Sequence, residues 1–164
     1  MKIVSIPASI AALTVSSLTI ATGITSYTQP ATAQTPSFQQ QILQLVNAER
    51  RKVGAAPLTL NAKLNQAAQN HTNDMVAKKY FAHNSPSGST MVKRVNAVGY
   101  TYRTIGENIA AGNASAAGTM TQWMNSPGHR RNILNPSFKE LGVGYAPAND
   151  QYRHYWTQVF GTAR

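Results

Sequence analysis

Imidazole and carboxylate are scarce in this chain, which has 4 His and 5 Asp plus Glu among 164 residues. Two of these groups sit where chemistry could be built. His83 lies in Phe81-Ala82-His83-Asn84-Ser85-Pro86-Ser87-Gly88, where a helical pattern stops and turn residues begin. Glu107 lies in Gly106-Glu107-Asn108-Ile109-Ala110, inside a strand-like run. It shares alternation parity with Ile105 and Ile109, which places a carboxylate on an apolar face. Such a group must find a partner or rise in pKa. With His83 in reach, Glu107 could act as a general base and His83 as its orienter or as a metal ligand. The same residues can instead be a helix-end histidine and a buried carboxylate held by loop amides.

The other histidines divide by position. His129 falls third in a helical turn begun by Ser126-Pro127, where the helix dipole disfavours imidazolium and leaves a neutral ring able to bind metal. Together His83 and His129 are the candidate metal ligands. With Arg130 and Arg131, the same helix start also suits an anion. His71 is on the apolar face of a helix and is expected to be a hydrogen-bonded core residue. His154 shares parity with Trp156, Gln158 and Phe160 in a strand. Neither an HExxH zinc motif nor a GxSxG elbow occurs, so a site must be assembled from distant residues.

Several elements must position them. Phe38, Ile42, Leu45, Val46, Glu49 and Val53 recur at helical spacing, with Ser37 as cap and Gly54 as stop. Asn61 caps a second helix bearing Leu64, Ala67, Ala68, His71 and Met75, with Lys78 and Lys79 at its end. Ser89 is the expected cap of a shorter helix with Met91, Val92, Val95 and Val98, closed by Gly99. Tyr100 to Ala110 suggests an irregular strand. Ala114, Ala117, Met120 and Met124 share a helical face, and the turn at Pro127 ends before Asn135-Pro136. Leu141, Val143 and Tyr145 alternate with glycines, and Tyr152 to Gly161 is the strongest strand, predicting an antiparallel hairpin. Helices come first and strands later, which predicts the α+β class.

Composition bounds the setting. Met1-Lys2, an apolar run from Ile3 to Ile24 and Ala31-Thr32-Ala33 fit a cleaved signal peptide over 1–33, leaving a domain over 34–164. Its removal takes one lysine and leaves 14 basic and 5 acidic residues, or +9. In a secreted or periplasmic protein this favours anionic envelope polymers or lipid head groups over nucleic acid, for which no reading motif occurs. With no cysteine, thiol catalysis and Cys-ligated zinc are excluded. The domain is nonetheless long enough to bury a core without staples.

Five runs occur in order: Leu45-Val46-Asn47-Ala48-Glu49-Arg50, His83 to Gly88, Gly106 to Ala110, Trp123-Met124-Asn125-Ser126-Pro127-Gly128-His129-Arg130 and Tyr155-Trp156-Thr157-Gln158-Val159-Phe160. Over about 40–162 they resemble the bacterial branch of the CAP superfamily, or SCP domain: cysteine-rich secretory proteins, antigen 5 and pathogenesis-related 1. The resemblance implies an α-β-α sandwich, with a central antiparallel sheet between helical layers, and an exported protein, expected as a monomer. It also implies a cleft where two histidines and two glutamates can bind a divalent metal such as zinc. His83 and Glu107 match the first of each. The second glutamate falls on Ser126 and the second histidine on Tyr155, with His154 one position off. His83, Glu107 and His129 are therefore expected to converge on one cleft, with Ser126 and Tyr155 at it.

Three functions remain open: a binding module for an envelope component, lipid or small amphiphile; a hydrolase using His83 and Glu107; and a structural or signalling domain with a non-catalytic polar cluster. The absence of an evident nucleophile–base pair favours the first.

Overall fold

A computed structural model describes residues 35–164. The expected signal segment, 1–33, lies outside the described residues. Helix α1 (Phe38–Lys52) starts at Ser37, whose hydroxyl accepts from the Gln40 amide while the Gln40 side chain reaches back, a capping box. Strand β1 is Thr59–Leu60. Helix α2 (Ala62–Lys78) is capped by Asn61, which accepts from the amides of Lys63 and Leu64. Helix α3 (Met91–Ala97) is capped by Thr90 rather than Ser89. The Ser89 carbonyl is instead taken by the Ser85 amide and by Arg94. Strand β2 (Tyr102–Ala111), helices α4 (Ala116–Met124) and α5 (Pro127–Leu134), and strands β3 (Glu140–Pro147) and β4 (His154–Ala163) complete the chain.

The sheet order is β1-β3-β4-β2. The three long strands are antiparallel, Glu107 opposing Val159 and Leu141 opposing Phe160. The short β1 adds in parallel to β3 at the edge of this central antiparallel sheet, and the α+β class is as expected. Helices α2 and α3 cover one face, and α1, α4 and α5 the other. The larger core, around Ile42, Trp123, Ile133, Leu141, Trp156 and Phe160, lies under α1, α4 and α5. A second core packs Leu64, Ala68, Val95 and Tyr100 on Val159 beneath α2.

Helix α2 sits unusually close to β3. A Cβ at Gly142 would run into the Leu64 backbone, and one at Gly144 would lie 2.6 Å from the Ala68 carbonyl. Glycine is needed because the backbones touch. From this position α2 also closes the sheet edge beyond β1: Asn65 accepts from the Val143 amide (2.8 Å) and Gln69 from the Tyr145 amide (3.1 Å). An edge that would otherwise invite pairing is covered. Two non-glycine residues among those described have positive φ, Lys79 at 53° and Arg153 at 59°. A side chain in this left-handed region costs about 1–2 kcal/mol.

Candidate functional site

Three elements deliver the site. Strand β2 projects Glu107 toward the α2–α3 layer, as its parity requires. Helix α3 supplies Arg94, and the turn after α2 supplies His83. The Glu107 side chain is 2 % exposed. Its Oε2 accepts from Arg94 Nη2 at 2.7 Å, and its Oε1 lies 2.8 Å from His83 Nδ1. A carboxylate paired to a guanidinium is ionised and only accepts, so Nδ1 carries the proton and His83 Nε2 is the free ring atom. The donors that satisfy Glu107 are therefore two side chains rather than the loop amides expected of a structural carboxylate.

The turn bearing His83 is held at several points. Arg94 donates to the carbonyls of His83 (3.0 Å) and Ser89 (3.2 Å), one at each end of the turn. His71, fully buried on α2, has Nε2 3.1 Å from the Ala82 carbonyl, which fixes the proton on that nitrogen. Its Nε2 is 3.9 Å from Glu107 Oε1, beyond hydrogen-bond length. Burial pushes the His71 pKa down more than the Glu107 charge raises it, so the ring is neutral. It is the core histidine that the apolar face of α2 predicts. Asp74, one turn on, accepts from Ser85 (2.7 Å) and Tyr80 (2.6 Å) and pairs with Lys78. Burial pushes its carboxyl upward, but the hydrogen bonds from Lys78, Tyr80 and Ser85 outweigh this and hold it at about 2.

On the opposite face of β2, Asn108 is enclosed by neutral groups. Its Nδ2 donates to Gln158 Oε1 (3.0 Å) and to the His129 carbonyl (3.1 Å), and Asn132 donates to its Oδ1 (2.9 Å). Asn132 also donates to the Glu107 carbonyl (3.2 Å), so α5 holds the strand on which Glu107 stands. His129 is half-buried with an unpartnered buried Nδ1. Burial, then the charge of His83, pushes its pKa down, the direction the helix-start argument expects.

A pocket of about 300 Å³ opens beside this cluster, lined by His83, Asn84, Thr90, Met91, Val92 and Glu107. Neither Ser126 nor Tyr155 lines it. Ser126 takes the cap position of α5 but makes no capping hydrogen bond with its side chain. Tyr155 is fully buried and its hydroxyl donates to Asp150 (2.7 Å) in the β3–β4 hairpin. His154, on the other face, meets the Tyr145 hydroxyl at 3.0 Å.

The donor set fits a four-ligand metal poorly. Two tetrad positions are Ser126 and Tyr155, and Arg94 places a permanent cation against the remaining carboxylate. Among the described residues no group of three or more His, Asp or Glu side chains is arranged to hold a metal ion. Arg94 was missed from sequence, where it reads as the solvated charge of a short helix. Asn108 and Gln158 did leave a signal, as polar residues facing each other at apolar parity.

The family model for the cysteine-rich secretory proteins matches residues 43–160. The chain belongs to the CAP family. Similar curated relatives are two Bacillus subtilis proteins, the uncharacterised YkwD, 38 % identical over 83 % of this chain and 51 % of its own length, and the uncharacterised membrane protein YlbC, 35 % identical over 74 % and 34 %. The chain thus spans about half of the first relative's length and about a third of the second's. An extracellular SCP-domain protein from Bacillus anthracis superposes with a TM-score of 0.69 at 34 % identity, over 76 % of this chain and 40 % of that one. An outer surface protein of Borrelia burgdorferi gives the same TM-score at 18 % identity, over 75 % and 90 %, and shares the fold. This CAP chain has no cysteine, so no disulfide braces its sandwich. No described helix is long and apolar enough to cross a membrane.

Proposed function

We propose that this CAP domain, residues 34–164, is exported after loss of 1–33 and acts as a binding module, its pocket beside His83 taking a small amphiphile or the polar end of an envelope lipid. The observation that carries this reading is the full engagement of Glu107. Both of its oxygens are held, by Arg94 and by His83, so Glu107 is not a free base, and the open ring atom, His83 Nε2, accepts from no hydroxyl among the described residues. The Ser85 hydroxyl of the turn donates to Asp74, whose carboxyl is held at about 2 and is a weak base, so it is not activated as a nucleophile. What remains open is a recognition surface: His83, its side chain 54 % exposed, beside Thr90 and the apolar Met91 and Val92. An apolar wall with one polar tip suits a molecule with a chain and a head group. The extracellular B. anthracis relative supports export.

The test is titration of the purified protein with decanoate and with decanol, read from the ring signals of His83 and the methyl of Met91. Saturable shifts at both residues, weakened about tenfold in His83→Ala and Met91→Ala, are expected. Ester hydrolysis that disappears in a folded Glu107→Gln variant would replace the binding reading with a hydrolase.

A further inference from the structure

Two cations hold backbone conformations that L residues seldom adopt, and they frame one patch. Lys79 ends α2, and Arg153 lies in the β3–β4 hairpin. Phe81, two residues beyond Lys79, packs on Tyr152, the neighbour of Arg153, with ring centroids 5.6 Å apart and planes inclined by 36°. The buried Tyr155 backs both rings, at 6.4 Å from Phe81 and 5.5 Å from Tyr152. The charge of Lys79 reaches the Asp150 carboxylate of the same hairpin. Phe81 and Tyr152 are half-buried and keep ring surface open, and both cations are exposed. Neither is neutralised by an ion pair: among the described residues those of Lys and Arg use Glu49, Asp74 and Glu107. Asp150 is occupied by the Tyr155 hydroxyl and by the amides of Tyr152 and Arg153.

Glycine would adopt both left-handed positions without strain. Strain of this kind gathers where a site needs a particular side chain. We propose that this patch binds an acidic glycan, its sugar rings lying on Tyr152 and Phe81 and its carboxylates pairing with Arg153 and Lys79. The faces of sugar rings are apolar enough to cover aromatic rings, while the tyrosine keeps a polar tip for sugar hydroxyls. The arginine fork matches a carboxylate in two bonds, and lysine adds a mobile point charge. The chain's excess of 15 basic over 5 acidic residues draws polyanions to the whole surface. The aromatic pair selects a ring-bearing polyanion at this place. A membrane fits less well, because the large apolar residues most open to solvent, Val53 and Val92, lie on other elements. The proposal does not depend on the ligand of the His83 pocket.

The experiment titrates the isotope-labelled purified protein with tetragalacturonate, with maltotetraose and with a short oligothymidylate, at about 0.15 M salt so that diffuse attraction is screened. Tetragalacturonate is expected to saturate and to move the signals of Lys79, Phe81, Tyr152 and Arg153. Tyr152→Ala and Arg153→Gln should each weaken it about tenfold, and maltotetraose should bind at least about tenfold more weakly. Arg153→Gly should lose the same affinity while melting no lower than wild type, which separates binding from folding. Equal or tighter binding of the oligothymidylate would overturn the proposal in favour of nucleic acid. Shifts scattered over Arg103, Arg130 and Arg131 that the variants leave unchanged would reduce it to general polyanion attraction, and absence of saturation would end it.

Discussion

Arg50 and Arg94 are two buried arginines in one small domain, solved in opposite ways. Arg50 is fully buried and pairs with no carboxylate among the described residues. It donates to four carbonyls, Ala56 (2.7 Å), Ile133 (2.7 Å), Asn135 (2.8 Å) and Phe138 (3.3 Å), tying α1 to the end of α5 and to the turn before β3. Burial pushes its pKa down, yet arginine stays charged. Arg94 is paired with a carboxylate that a histidine of the pocket also touches. The first cation replaces missing backbone partners where a loop is buried. The second neutralises a charge beside an opening. A buried charge is therefore no sign of a site by itself; what distinguishes Arg94 is that its partner reaches a solvent-facing imidazole.

The comparison can be broken at either end. Arg50→Ala should have the largest effect, a loss of about 4 kcal/mol, because four carbonyls lose a donor and a cavity is left. Arg50→Lys should recover little, since an ammonium cannot span the same carbonyls. Urea unfolding measures both. Arg94→Ala should cost about 3 kcal/mol, from leaving Glu107 buried and paired only with His83. If the two arginines prove equally costly, the distinction between a fold clamp and a site clamp fails.

Glu107→Gln should cost about 2 kcal/mol despite its near-equal volume, because Arg94 loses its counter-charge and an amide donor faces His83 Nδ1. Thermal unfolding of wild type and variant, each with and without zinc, should show the loss and little response to the metal. A zinc-dependent rise in wild type that vanishes in the variant would make the cluster a metal site. Adding Glu107→Gln to Arg94→Ala should cost little more, since each disables the same pair, and a double-mutant cycle reads that coupling.

The smallest effect expected is on pH dependence. Burial lowers the pKa of His71 and of His129 in the folded chain. The unfolded chain then binds more protons near and below the ordinary histidine value of about 6.5. Stability is full above that pH and falls as the pH drops through it. His71→Gln should make the decline in melting temperature from pH 7 to pH 5 shallower. Asp74, held at about 2, adds a second loss from about pH 4 downward as its carboxylate is protonated.

Much of this was legible in the residues. Helix α1 announced itself through its apolar spacing and Ser37, α2 through Asn61, and the β3–β4 hairpin through alternation. The proximity of His83 and Glu107 came from matched runs rather than spacing. Strand β1 could not be seen, because two residues carry no period. Arg50 and Arg94 were invisible for a different reason. Their partners are 83 to 88 residues away for three of the four carbonyls of Arg50, and on another element for Arg94, and one-dimensional patterns record only neighbours. Tyr155 was placed at the cleft by the matched runs alone, which carry no signal of the Asp150 that its hydroxyl reaches.

The glycine slot on β3 has a consequence for how this domain can vary. Gly142 and Gly144 let α2 settle where Leu64 and Ala68 touch the sheet. That contact indexes the helix like a notch on a ruler. His71 and Asp74 stand at set intervals along the same rod, about 1.5 Å per residue from the notch. One residue inserted between Ala68 and His71 would leave the notch engaged yet swing everything beyond it by about 100°. His71 would leave Ala82, Asp74 would leave Ser85, and the turn carrying His83 would lose its anchor. The span from notch to anchor must therefore keep its length for the turn carrying His83 to stay held.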